Sequence, residues 1–376
     1  MIYLDNNATT PVAAEVMEEM QRVATFAFGN PGSRHLAGRK ARQVLEESRE
    51  TIAALLDAQP SEVFFTSGGT ESSNLAIFGL TVGRSGSVVL PPGEHPATTE
   101  AFKRLIQRGC RKQPLKLTNV GQIEQASLDS VEWSDVVLAT ALVAHNETGT
   151  VLDLSSLTAL CEEHRVPLHL DAVQAAGKIP VSFRDSGAAT LSIGAHKFYG
   201  PRGIGALLVR EGVKVFPQLV GGHQENGKRA GTEPVMLAAG MAKALSMCCA
   251  DLQERTAHQA KLRDHLQRGL AESCSPVFIN GDENSRLPNT LNIAFPGCDA
   301  DALLVALDLS GICCSHGSAC ASGSAEPAPI LVGMNCPPEV YQSSLRFSVG
   351  GQNSLDEIAE TVQLVSGAVK RLRASQ

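Results

Sequence analysis

Ser192-Ile-Gly-Ala-His-Lys197-Phe-Tyr-Gly-Pro201 sets one lysine in a glycine-rich turn, between short apolar runs at residues 188–193 and 203–209. Apolar runs of that length, bounded by Gly and Pro, are predicted to be buried strands, which puts Lys197 at a strand end. Upstream, Val166-Pro-Leu-His-Leu-Asp171-Ala-Val-Gln174 is another apolar run, and it meets a carboxylate. In an open α/β sheet, ligands gather at the carboxyl ends of the strands. One strand therefore delivers an acid and a later one an amine to the same edge. Lysines are ordinarily solvated surface, so it is position rather than residue type that makes Lys197 a candidate.

At 376 residues the chain exceeds the size at which one core usually stops growing, and two lobes are expected. Hydrophobic content of 43% beside 19% charged residues is that of a globular protein. A net charge of −7 leaves no strong cationic field for nucleic acid. No uncharged apolar run reaches about 18 residues, so no membrane-spanning helix is expected. Asp5 interrupts the amino terminus, where a signal peptide would need a basic and then an apolar segment. Ten cysteines without regular spacing read as reduced thiols, and a cytoplasmic location is expected. No Cys/His spacing suggests a metal.

Working outward, helical periods are predicted over residues 12–25, 36–56, 97–107 and 155–164, with strands at residues 62–66, 87–90, 136–143 and 166–171. Strands alternating with helices in this way mean a parallel sheet with crossover helices. Thr66-Ser-Gly-Gly-Thr70 joins a strand to a helix; it is either an anion-binding turn or a plain cap closed by Thr70 or Ser67. His95 stands just before Pro96, at a helix start. A long helix follows from about residue 234 to 274, with an interruption near residues 248–251. Beyond it the pattern changes to strands at residues 290–295, 312–315 and 344–349 and helices at residues 299–309 and 355–372. These are expected to form a smaller α+β unit.

Thr70, His95, Asn146, Asp171, Gln174, His196 and Lys197 thus fall at successive strand ends. Each alone has a bland explanation as a cap or a satisfied polar group, but pyridoxal phosphate explains them jointly. Asp171 would hold the pyridine nitrogen protonated and Lys197 would form a Schiff base. Asn146 and Gln174 can hydrogen-bond the phenolic oxygen, and His95 can stack on the ring. Thr70, the Gly68 and Gly69 amides and His196 can take the phosphate.

The chain resembles the cysteine desulfurases of the NifS/IscS type, within the class-V aminotransferase group of fold-type I pyridoxal-phosphate enzymes. Matching motifs run from end to end: Tyr3-Leu-Asp-x-x-Ala-Thr-Thr-Pro11, Thr66-Ser-Gly-Gly-Thr-Glu-Ser-Ser-Asn74, Glu94-His95, Asn146-Glu-Thr-Gly149, Asp171-Ala-x-Gln174, His196-Lys197-x-x-Gly-Pro201, Arg229-x-Gly-Thr232, Gly317-Ser-Ala-Cys320 and Ser344-Leu-Arg346-Phe-Ser348. The resemblance implies a large pyridoxal-phosphate-binding α/β domain at residues 14–254, with a central, mostly parallel sheet flanked by helices. Residues 1–13 and 255–376 would form the small α+β domain. It also implies conversion of L-cysteine to L-alanine. In that reading Cys320 is a mobile-loop nucleophile that becomes a persulfide, Arg346 grips the substrate carboxylate, and His95 belongs to the catalytic set. Thr232 would reach the phosphate of the neighbouring subunit's cofactor in a homodimer with shared active sites. The sulfur would pass to an acceptor protein, either an iron–sulfur scaffold or a tRNA-thiolation protein.

The chain departs from the family pattern at Gly194, where many members carry serine, so the phosphate cup keeps only a backbone amide there. The Cys313-Cys314 pair and Ser315-His316 are also unusual and are read as strand packing. A class-V relative using the cofactor differently, such as an aminotransferase or selenocysteine lyase, and a non-enzymatic sulfur carrier both remain open from sequence.

Overall fold

The computed structural model describes residues 1–316 and 328–374, so Cys320 and its Gly317-Ser-Ala-Cys320 motif lie outside the described residues. The first strand, β1 (Ile2–Tyr3), is followed by helices α1 (Ala14–Phe26) and α2 (Leu36–Leu55). On α2 the buried positions Ala41, Val44, Leu45, Ser48 and Ile52 recur at three- and four-residue spacing, so one stripe faces inward. Next come β2 (Val63–Thr66), α3 (Gly69–Thr81), β3 (Ser87–Leu90), α4 (Pro96–Gln107), β4 (Arg111–Pro114), β5 (Val136–Leu142), β6 (Leu168–Asp171), β7 (Thr190–Gly194) and β8 (Gly205–Val209).

These strands make a seven-stranded sheet in the order β2-β8-β7-β6-β5-β3-β4. It is mostly parallel, but β8 runs antiparallel to both of its neighbours. The connection from β7 to β8 holds only the Lys197 turn, too short for the crossover that a parallel return needs. Strand residues alternate between two packed faces: Phe65, Val89 and Leu208 join one core, while Phe64, Val88 and Leu207 join the other with α3 and α4 residues. Burial on both faces accounts for the near-continuous apolar runs.

The long helix expected from residue 234 to 274 is two helices, Val235–Ala250 and Leu252–Ser273, bent by 76°. A separate apolar core gathers Ile2 and Leu4 with Leu262, Leu266, Ile293, Phe347 and Val365. It packs around the three-stranded antiparallel sheet of β9 (Phe278–Asn280), β10 (Thr290–Ala294) and β12 (Ser344–Ser348), in the order β12-β10-β9. The remaining strand, β11 (Ile312–Cys313), pairs in parallel with β1. The amino terminus is therefore stitched into the carboxy-terminal third of the chain, which brings residues 5–10 back over the edge of the large sheet.

Two edge strands were not read from the sequence. Arg111-Lys-Gln-Pro114 is polar and mostly exposed because it forms a sheet edge, where a proline is tolerated. Phe278–Asn280 is a three-residue edge strand with an exposed Phe278.

Candidate active site

Strand register sets the first geometry. Leu142 on β5 pairs with Asp171 on β6, and Asp171 pairs with Ser192 on β7, so the carboxylate stands at the carboxyl edge of three adjacent strands. A cavity of about 350 Å³ opens there, within the size range of small-molecule sites. Thr70, His95, Asn146, Asp171, Gln174, His196 and Lys197 all line it, and Arg346 joins them from β12. Asn7 and Ala8 of the amino-terminal loop also face it.

That loop holds the lysine. Lys197 follows β7 in a single 3-10 turn, and its Nζ donates to the carbonyl oxygens of Asn7 at 2.6 Å and Ala8 at 2.8 Å. The same Asn7 oxygen accepts from Gln174 Nε2 at 2.8 Å. Asn7 is itself buried and fully engaged. Its Oδ1 accepts from Lys178 Nζ and Asn289 Nδ2, and its Nδ2 donates to Asn146 O and Thr290 Oγ1.

An anion can be held at the start of α3. The residue before that helix is Gly68, and among the described residues no side chain caps its first turn, so neither Thr70 nor Ser67 acts as the plain cap. The first-turn amides therefore remain as donors at the positive end of the helix dipole. A Cβ on Gly69 would stand 2.6 Å from Val173 Cγ2, so only glycine lets the helix approach the Asp171–Gln174 turn this closely. Gly194 lies beside these amides with φ −137° and ψ 121°, an ordinary extended conformation. A Cβ there would meet Gly69 N at 3.5 Å, normal contact. Burial, with Lys197 and Arg202 close by, pushes His196 down to about 4, so it meets an anion as a neutral ring.

The acids are placed differently. Asp171 is buried, and its Oδ1 accepts from Val173 N at 2.9 Å. Burial pushes its carboxyl up, while His95, Val173 N–H, Lys197 and Ser192 pull it the other way. A protonated pyridine nitrogen is the partner such a buried carboxylate needs to stay ionised. His95 caps α4, its Nδ1 accepting from Ala97 N at 3.1 Å, which fixes the ring at the cavity wall. The Asn146 amide is held by Glu147, to whose Oε1 it donates at 2.8 Å. Arg346, only 2% exposed, donates to Asp5 Oδ1 and Glu147 Oε1 at 2.7 Å each, while its buried Nε has no partner among the described residues. An anion-holding helix start, a buried acid and an amine, all lining one cavity, together fit pyridoxal phosphate.

The structure does not bring Thr232 to the cavity; it is exposed on the loop after residue 221. That loop is anchored by Glu225, which pairs with buried Arg49 at 2.8 Å and accepts from Phe65 N, and by Arg229 on Glu71. Sequence reasoning missed Asn7 and Lys178 altogether, and it gave Asp5 and Glu147 no role. The run Asp5-Asn-Asn was a visible signal, since consecutive polar residues between apolar ones mark a turn, but nothing local says that the turn is buried.

The sequence matches the family model described as Aminotransferase class-V over residues 2–360. It is 38% identical over 375 residues to the "Cysteine desulfurase IscS" of Dictyoglomus turgidum, covering 99% of this chain and 95% of that one. Among solved structures, a "NifS-like protein" superposes with a TM-score of 0.92 at 31% identity, covering 98% of this chain and 99% of the other. A structure described as "SspA in complex with cysteine" superposes with a TM-score of 0.81 at 30% identity, covering 94% and 100%.

Removing the Asn7 side chain tests how far the site depends on it. Asn7→Ala strands the buried donors of Lys178 and Asn289 and is expected to cost about 3 kcal/mol of folding stability, read from the urea midpoint at unchanged slope.

Proposed function

The chain belongs to the class-V aminotransferase family and acts as a cysteine desulfurase, and from that premise we propose how its cavity divides the work. The observation that carries the reading is that Lys197 and Asp171 line one cavity together with Gly69 and Thr70, the start of a helix that no side chain caps among the described residues. Pyridoxal phosphate, when bound there, supplies an electron sink that weakens bonds at the substrate's Cα.

The residues do the rest. The Gly69 and Thr70 amides, the Thr70 hydroxyl and His196 bind the phosphate, with the Gly194 backbone completing the cup. Asp171 holds the proton on the ring nitrogen, and His95 packs on the ring face. Asn146 and Gln174 donate to the phenolic oxygen. Lys197 would hold the cofactor through its carbonyl carbon and, as a free amine, would carry a proton at the substrate's Cα; the carbonyl oxygens of Asn7 and Ala8 hold its Nζ at the cavity. Arg346 and Asn146 take the substrate carboxylate, for which a planar guanidinium fork is suited. The Cys320 thiolate attacks the substrate sulfur. The Cβ–S bond breaks, an S–S bond forms on Cys320, and a proton replaces sulfur at Cβ, leaving alanine and an enzyme persulfide.

Two finer readings follow from the same set. Thr232, exposed and off its own cavity, reaches a second copy's phosphate in a homodimer, and the Glu225 anchor gives its loop a fixed stance. The persulfide passes to an acceptor protein, an iron–sulfur scaffold or a tRNA-thiolation partner.

Incubation of the cofactor-loaded protein with L-cysteine is expected to yield alanine and one added sulfur on the peptide carrying Cys320. Cys320→Ala should keep the cofactor's absorption band and lose at least about a hundredfold in alanine formation, an activated nucleophile being removed. Equal alanine formation by that variant would remove Cys320 from the reaction.

Gly194→Ser adds a hydroxyl beside the α3 amides without backbone strain. One neutral hydrogen bond of about 0.5–1.5 kcal/mol should tighten pyridoxal phosphate by up to about tenfold in equilibrium dialysis.

A further inference from the structure

Lys178 is buried, 6% exposed, in the turns that follow Asp171. The backbone there closes on itself, with Ala176 N–H on Ala172 O and Lys178 N–H on Ala175 O, which brings position 178 back over position 174. Gly177 permits the turn at φ +72°, where a Cβ would also strike Phe198 Cβ at 2.8 Å. Lys178 Nζ donates to Gln174 Oε1 at 2.6 Å and to Asn7 Oδ1 at 2.9 Å. Among the described residues no carboxylate pairs with it; the charged groups that act on it are Lys197 and Arg346, with only the Cys248 thiol acting the other way. Burial and those two cations push its ammonium well below the ordinary lysine range. A neutral amine still supplies two N–H donors, so both hydrogen bonds survive loss of the charge.

The consequence falls on Gln174. The two ends of a glutamine amide have nearly the same shape, so their orientation is decided by partners. Here one end meets the Lys178 amine, which donates to it, and the other a pure acceptor, the Asn7 carbonyl oxygen. Oxygen is therefore turned to Lys178 and nitrogen to Asn7. One Nε2 hydrogen goes to Asn7 O, which leaves the second for the cavity that Gln174 lines. We propose that Lys178 is a positioning residue that fixes the Gln174 amide with an N–H toward the cofactor's phenolic oxygen. This rests on the reading of the cavity as a pyridoxal-phosphate site. A donor on the phenolic oxygen favours its anion and lowers the pH at which the bound cofactor's visible band titrates.

The test is a set of absorption titrations on the cofactor-loaded protein: wild type, Gln174→Ala, Lys178→Met and the double variant. Gln174→Ala should raise the midpoint by about one pH unit, the worth of one hydrogen bond to a charged acceptor. Lys178→Met should raise it by a similar amount, and the double variant no further than Gln174→Ala alone. An unshifted Lys178→Met midpoint, or shifts that add in the double variant, would overturn the proposal, because Lys178 would then act apart from Gln174 or not at all. Should Lys178→Met fail to fold, Lys178→Leu takes its place in both the single and the double variant, and the same two results overturn the proposal. A wild type that develops no visible band with added pyridoxal phosphate overturns the cofactor reading itself, and the role of Lys178 with it; a wild-type band with an unmoved variant overturns only the latter.

Discussion

Everything at the cavity depends on one buried asparagine in the amino-terminal loop. Asn7 spends both side-chain donors and both side-chain lone pairs, its N–H goes to Ser348 Oγ, and its carbonyl oxygen takes Lys197 and Gln174. Those partners come from β12, β10 and the segment before it, the turns after β5 and β6, and the turn after β7. A buried polar group of this kind adds modest net energy when satisfied and a large penalty when not. Its effect is therefore on specificity of arrangement: pieces far apart in the chain have one low-energy way to meet. The β1–β11 pairing and the Asp5–Ser348 bridge hold the loop in place so that Asn7 can serve that purpose.

Charge at the site follows the same logic. Arg346, buried at the cavity, carries two carboxylates, Asp5 and Glu147, while Lys178, buried behind Gln174, rests on the amide oxygens of Gln174 and Asn7. Asp171 sits in the opposite condition, a buried acid whose pKa burial raises. Such a set is expensive to fold with nothing in it. It becomes favourable when an anionic, aromatic ligand with a basic nitrogen supplies the missing complements at each end, and in that sense the fold is arranged around a guest.

Much of this was legible in the sequence, for identifiable reasons. Parallel strands buried on both faces leave continuous apolar runs, so β5, β6 and β7 and their terminal residues could be placed without coordinates. The helix bend near Asp251 was visible as a break in pattern. By contrast, the antiparallel β8 was hidden, because a short buried run reads the same in either direction. Arg111–Pro114 escaped because an edge strand needs no apolar face. Asn7 and Lys178 escaped for a deeper reason: local sequence shows a polar residue's chemistry but not whether partners hundreds of residues away will bury it. Lys178 looked like any surface lysine.

Two lysines thus stand within reach of one asparagine, and the account assigns covalent chemistry to only one of them. Borohydride reduction of the pyridoxal-phosphate-loaded protein, followed by peptide mapping, separates them most directly. The account predicts a single fixed label on Lys197, with Lys178 unmodified. A label on Lys178, or a loaded protein in which no lysine is labelled, would contradict it.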